Sequence, residues 1–424
     1  MVINIPYGKT YQKLECEEQA MILESELSKM QSQEEKAEIV KKAMANPIGS
    51  EPLKVLASDK KTAVLIVSDH TRPVPSKYIV PQMLKELREG NPNIDITILV
   101  ATGCHRGTKK EELISKLGAE IVESEKIEVH DCDKSPVTDM GVLPSGAHLI
   151  LNSIAANADL VISEGFIEPH FFAGYSGGRK SILPGICGRK TVLGNHCSAF
   201  IKNPMARMGI LEGNPINRDM EAAAKMAKLA YIVNVIIDEE KKVVAAFAGD
   251  CIAAHHAGCK YLESFCSIVP EKKGDIVITS NGGAPLDQNV YQAVKGLTTA
   301  EAAASPHGTL IICAECADGI GGDQFYRALS QSENAETLLQ QIEKVPMEET
   351  VPDQWQYQIL ARILKQHRVI FVTNSDLKEK IIAMKMAYAN SLQEAYERAK
   401  ETQENGVSLL VIPNGVSIVV KEAE

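Results

Sequence analysis

The chain contains no run of about 18 uninterrupted apolar residues, the least a membrane-crossing helix needs, and its start, MVINIPYGKT, lacks the basic and apolar regions of a secretory signal. The expectation is a cytoplasmic protein with no membrane partner. Basic residues are in deficit as well: 45 Lys and Arg stand against 55 Asp and Glu, for a net charge of -10. Duplex binding rests on neutralising phosphates with Lys and Arg, so no nucleic acid partner is expected. Cysteine pairs are scarce. Of ten cysteines, only Cys313 and Cys316 have CxxC spacing. A zinc or redox role there would need a second ligand pair or a thioredoxin-like context, and IICAEC reads as a strand end. The remaining cysteines are isolated in apolar or helical segments, unlike the disulfide framework of a short secreted domain. Fixed-period repeats, coiled-coil heptads, low-complexity tracts and the G-x-G-x-x-G spacing of nicotinamide-binding folds are all missing.

What is present is alternation. Apolar runs at 62–68, 94–101, 158–163 and 231–238 alternate with helical patterns such as 76–89 and 215–230, the mark of strands joined by crossover helices. A second set of strands is expected at 275–280, 309–313, 368–373 and 408–412, with helices at 288–303, 336–344 and 376–402. The 424 residues exceed the size at which one core normally stops growing. The polar segment VPEKKGD, Val269 to Asp275, separates the two sets. The reading is therefore an α/β protein of two α/β domains, 1–270 and 271–424, with the active site in the cleft between them. A charged helix at 24–44 is expected to be a solvated surface helix.

Three strand exits in the first half carry histidine. VSDHTRPVP (67–75) follows the buried-strand pattern TAVLI, ATGCHRGT (101–108) follows ITILV, and EPHFFAGYSGGRKSILPG (168–185) follows ADLVISEG. A fourth imidazole, His196 in LGNHC, lies sixteen residues beyond Lys180. Ligands collect at the carboxyl ends of strands in open α/β sheets, and histidine is the usual proton carrier or borderline-metal ligand. A capping box is expected where Thr108 and Glu111 open a helix. An acidic protein with an anionic substrate must concentrate its cations locally, and Arg72, Arg106, Arg179, Lys180 and Lys295 are the candidates. In LDQNVYQAVKG, Gln288, Tyr291, Gln292 and Lys295 share one helical face. The ammonium of Lys295 and the amide of Gln292 suit a carboxylate.

These segments, with GGAPLDQNVYQAVKG (282–296) and PDQW (352–355), resemble in the same order the signatures of the nickel-dependent lactate racemase family. The resemblance spans essentially the whole chain. It implies nickel held in a pyridinium-3,5-bisthiocarboxylic acid mononucleotide, a pincer tethered to Lys180 of SGGRK, with His196 as the one protein ligand to the metal. It implies His105 and His170 as the acid-base pair and a small 2-hydroxy acid, lactate, as substrate. Arg72, Tyr291, Gln292 and Lys295 would hold the substrate. Asp69, His70, Thr71 and Arg72 would line the cofactor, whose phosphate the SGG amides at 176–178 could cradle. Cofactor-biosynthesis and nickel-insertion enzymes are implied as partners.

The implied chemistry is racemisation by hydride transfer. One imidazole takes the hydroxyl proton as hydride leaves the α-carbon, the 2-keto acid turns, and the opposite imidazole returns a proton. Two other readings stay open on the residues alone. One is a metal-dependent hydro-lyase or carbanion-type epimerase of a hydroxy acid. The other is a nickel or anion carrier without turnover.

Overall fold

The computed structural model describes residues 1–30, 34–238, 240–401 and 407–422. The apolar runs form two six-stranded sheets. In the first, the order is Val243–Gly249, Leu229–Ile237, Leu160–Phe166, Thr62–Ser68, Asp95–Ala101 and Lys126–Val129. All neighbours run parallel except the Val243–Gly249 edge. The strands Thr62–Ser68 and Leu160–Phe166 are buried along almost their whole length, which explains their unbroken apolar character: helices cover both faces of a parallel sheet. The second sheet is wholly parallel, in the order Ala387–Ala389, Arg368–Val372, Ala304–Cys313, Gly274–Ser280, Leu409–Ile412 and Met21–Ile22.

The segment Val269–Asp275 follows the last strand of the first sheet, which ends at Gly249, and its final two residues open the strand Gly274–Ser280 of the second. The amino terminus belongs elsewhere. Met21–Ile22 is the edge of the second sheet, and Ile3, Ile5 and Leu14 of the Val2–Tyr7/Thr10–Glu15 hairpin pack in a core with its strands. A larger core joins the halves, with Phe172 and Ile201 of the first clustered with Ala293 and Leu360 of the second.

Three helix expectations need correction. The stretch expected to be helical over 376–402 breaks into Lys378–Ala383, the strand Ala387–Ala389 and Leu392–Lys400. Lys385 takes φ +69, which ends the first helix, and the Ser391 side chain accepts the Glu394 N–H to start the second. Of the expected 24–44 helix, the described part holds a 3-10 turn at Leu27–Lys29 and a helix at Lys36–Ala45; residues 31–33 lie outside the described residues. The helix expected to open at Thr108 starts one residue later than that cap implies, at Lys110, and the carboxylate of Glu112, not Glu111, accepts the Lys109 N–H at 2.8 Å.

Candidate active site

A cavity of about 320 Å³ opens at the carboxyl ends of the first sheet's central strands. Asp69 and Arg72 reach it from the exit of Thr62–Ser68, His105 from the exit of Asp95–Ala101, and His170, Lys180 and His196 from the chain after Leu160–Phe166. Tyr291, Gln292 and Lys295, on the helix Val290–Ala303, and Trp355, on Gln354–Gln366, close it from the second half.

Each imidazole is oriented by its own surroundings. His105 Nδ1 lies 2.7 Å from Asp69 Oδ2, while Asp69 Oδ1 accepts the Thr71 hydroxyl at 2.6 Å and the Thr71 N–H at 3.1 Å. Burial of Asp69 opposes its ionisation, but the His105 and Thr71 hydrogen bonds outweigh that and hold its carboxyl below the usual range. A carboxylate at Nδ1 fixes the tautomer and leaves Nε2 for a ligand. The Ala173 N–H donates to His170 Nδ1 at 3.3 Å, so the neutral ring carries its hydrogen on Nε2, the opposite tautomer to that of His105. Burial, followed by the charges of Lys180, Lys295 and Arg72, drives the His170 pKa well below 6.5. His196 Nδ1 sits 2.9 Å from the Val192 carbonyl, so Nδ1 carries the hydrogen and Nε2 a free lone pair. Burial and then the Lys180 charge push His196 down to about 3, a neutral ligand-type imidazole at any ordinary pH. Rings meet edge to face along this wall: His170 with Phe172 at 4.6 Å, Phe172 with His196 at 5.1 Å, and His196 with Trp355 at 5.0 Å.

The cations are unpaired. Among the described residues Arg72, Lys180 and Lys295 form no ion pair; the two ammonium groups lie 5.9 Å from the ring centroids of Phe172 and Phe171. Burial lowers the Lys180 pKa well below 10.5, aided by the charges of Arg179 and Arg72, which favours the nucleophilic amine over the ammonium. Lys295 falls to about 8 by burial and by Arg72. Arg72 and Lys295, both lining the cavity and without an ion-pair partner among the described residues, form a site for an anion.

Several expected site residues lie elsewhere. His70 does not line this cavity; its Nδ1 is 3.1 Å from the Thr108 hydroxyl, and it borders a second, basic pocket. Thr71 is the Asp69 clamp and does not line the cavity either. Arg106 turns outward into a pair with Glu112. Arg179 is fully buried and donates to the carbonyls of Ala173, Tyr175 and Gly177 and to Asn217, so it shapes the SGGRK loop from within. Two of the three SGG amides expected to cradle a phosphate already have partners: Ser176 N–H donates to the Glu168 carbonyl and Gly178 N–H to Asn234 Oδ1.

Sequence reasoning missed two supports. Glu164, buried inside the apolar run, accepts Ser68 N–H and Oγ at 2.9 Å and Ser76 Oγ at 3.1 Å, tying a strand exit to the next helix. A carboxylate in a fully buried strand was the available signal, because such a group must have partners. The aromatic wall of Phe171, Phe172 and Trp355 was visible only as part of the motifs. No group of three metal-ligating side chains gathers around His196 among the described residues; the one such group, Asp131, Cys132 and Asp133, does not line the cavity.

Comparison with known proteins fits this geometry. Residues 7–209 match the family model for the lactate racemase N-terminal domain and residues 269–420 that for the lactate racemase C-terminal domain. The chain is 49% identical over 423 residues to the lactate racemase of Thermoanaerobacterium thermosaccharolyticum, covering 99% of each. It is 47% identical over 424 residues to that of Lactiplantibacillus plantarum, covering 99% of this chain and 100% of the relative. The structure of the lactate racemase apoprotein from T. thermosaccharolyticum superposes with a TM-score of 0.95 over 100% of both chains. A Thermotoga maritima protein, 18% identical with a TM-score of 0.64 over 90% of this chain and 98% of its own, shares the fold.

Proposed function

The chain belongs to the lactate racemase family and is an isomerase; from that premise we propose that it interconverts D- and L-lactate, or a closely related short 2-hydroxy acid, by hydride transfer. The observation that carries the reading is the convergence on one cavity of three oriented imidazoles, a lysine whose burial favours its amine, and the cations Arg72 and Lys295. The residues present fit the family's nickel pincer mononucleotide. Lys180 offers an amine for the tether, and His196 offers a neutral Nε2 without the further ligands that a protein-built metal cage would need. Bound there, the group would supply a ring carbon able to accept and return hydride.

The chain's own residues do the rest. Arg72 and Lys295 hold the carboxylate, with Gln292 and Tyr291 beside it. His105 Nε2 takes the hydroxyl proton of one enantiomer, and Asp69 stabilises the imidazolium that results. His170 serves the hydroxyl on the opposite side, which is why two bases are needed. Asp69 thus acts through His105 and not as a cofactor contact. Trp355 and the aromatic wall keep water from the reacting carbon. The two halves, 1–270 and 271–424, work as cofactor-bearing and substrate-closing parts, with the first 22 residues packed on the second. Nickel insertion and cofactor synthesis fall to separate enzymes, and the cytoplasm is the compartment we assign; no helix among the described residues is long and apolar enough to cross a membrane.

Intact-protein and peptide mass spectrometry tests the tether. Enzyme from a host with the maturation enzymes should carry one adduct, confined to the Lys180 peptide. Fully active enzyme with unmodified Lys180 would contradict the reading.

A further inference from the structure

An asparagine interrupts the apolar strand Leu229–Ile237. Asn234 is fully buried, as are Val233 and Val235 on either side, and among the described residues its Nδ2 has no hydrogen-bond partner. An unpaired buried donor costs about 1–3 kcal/mol, so stability alone favours an apolar side chain at this position. The other end of the amide is occupied: Oδ1 accepts the Gly178 N–H at 2.7 Å. The surrounding backbone leaves room for it. Gly165, its partner in the neighbouring strand, and Gly177 both line the cavity; a Cβ on the first would stand 3.0 Å from Nδ2, and on the second 2.6 Å from Oδ1.

The Gly178 N–H belongs to the same peptide unit as the Gly177 carbonyl. That carbonyl accepts the Lys180 N–H at 3.1 Å and a guanidinium N–H of Arg179 at 3.2 Å. A peptide unit is planar, so fixing its N–H fixes the direction of its carbonyl. Between two glycines at φ +81 and +54 the plane has no side chain to resist its turning over. Turning it would take the acceptor away from Lys180 and leave the buried Gly178 N–H unpaired. We propose that Asn234 latches the Gly177–Gly178 peptide in the orientation that presents Lys180 to the cavity. It is a positioning residue, since it does not itself line the cavity and acts through the loop. The latch is a property of the protein without cofactor; its consequence for the tether rests on the reading of Lys180 given above.

Hydrogen exchange of the apoprotein, resolved to the Gly178 amide, reads the latch, and the Lys180 adduct of protein made with the maturation enzymes reads its consequence. Wild type should show a slowly exchanging Gly178 amide. Asn234→Leu, of similar size but without an acceptor, should exchange there about tenfold faster or more while the strand Leu160–Phe166 keeps its protection. The same variant should carry about tenfold less adduct, because a displaced amine reacts more slowly. Asn234→Asp, which keeps an acceptor oxygen, should restore both, a rescue that a merely space-filling role does not predict. A leucine variant with full adduct, or one whose Gly178 amide keeps its protection, overturns the proposal. Should that variant fail to fold, a wild-type Gly178 amide exchanging as fast as an unprotected loop amide overturns it, and so does an aspartate variant that folds with a protected Gly178 amide yet lacks the adduct. Wild type without adduct would instead strike at the tether reading and leave the exchange measurement to decide the latch.

Discussion

Replacing His196 by Ala removes the imidazole whose Nδ1 is held by the Val192 carbonyl and which makes edge contacts to Phe172 and Trp355. We expect the variant to lose nickel and racemisation together while the Lys180 adduct survives; elemental analysis beside intact mass separates the two, and stoichiometric nickel with near-normal turnover would contradict the ligand assignment. His105→Ala and His170→Ala should keep metal and adduct and lose about a hundred-fold to ten-thousand-fold in both directions, since each base donates in one direction and accepts in the other. Less than tenfold loss in both directions would point to a different proton carrier. Asp69→Asn keeps shape but can no longer accept the His105 Nδ1–H as an anion, so kcat should fall by at least about tenfold with adduct and nickel unchanged. A loss of adduct with normal kcat in the loaded fraction would return Asp69 to the cofactor. The sequence singled out His105, His170, Lys180 and His196 because they stand in motifs that resemble the family's, and the fold brings all four to one cavity. It could not tell Asp69 from His70 and Thr71, for neighbours on one loop point in different directions and only the fold decides which meets His105.

The SGG loop depends on backbone that only glycine adopts easily. Gly177 has φ +81, and a Cβ there would stand 2.6 Å from Asn234 Oδ1 and 2.8 Å from the Phe166 carbonyl. Gly177→Ala should cost more than about 1 kcal/mol of stability and displace Lys180, giving a lower melting temperature and a reduced adduct. An alanine variant with wild-type melting and full adduct would show that the loop tolerates the crowding. The inner strands of both sheets were readable because their apolar runs are nearly unbroken, whereas edge strands such as Lys126–Val129 and Met21–Ile22 are only partly buried and gave no such run. The 376–402 stretch was not, because KEKIIAMKMAYANSLQEAY is helix-forming in composition and the short edge strand Ala387–Ala389 is imposed by pairing with Arg368–Val372. Arg179 misled for a related reason: its charge suggested a ligand contact, while five hydrogen bonds to its own surroundings turned it inward.

Across the whole molecule, burial depresses the pKa of His130, His255 and His367, none of which lines the cavity. The folded protein then binds fewer protons than the unfolded chain below 6.5, so their contribution is full above that value and lost as pH falls through it. Melting temperature should drop as pH is lowered from 6.5, and a flat profile would contradict the neutral burial of these rings. The packing of the amino-terminal strands on the second sheet, invisible to a boundary drawn on charge, means that a fragment cut at 270 would carry an unpaired hairpin; this follows from pairing between distant segments, which no local pattern records. All of these features serve one claim, that hydrogen leaves and rejoins the α-carbon inside a closed site. Racemisation of lactate deuterated at C2, run in ordinary water with the loaded enzyme, tests it most directly. The account predicts slower turnover and product that keeps its deuterium, since a carbon-held hydride does not exchange with solvent. Progressive loss of deuterium to water at the rate of racemisation would show the hydrogen moving as a proton on an exchangeable nitrogen, and would contradict the hydride mechanism.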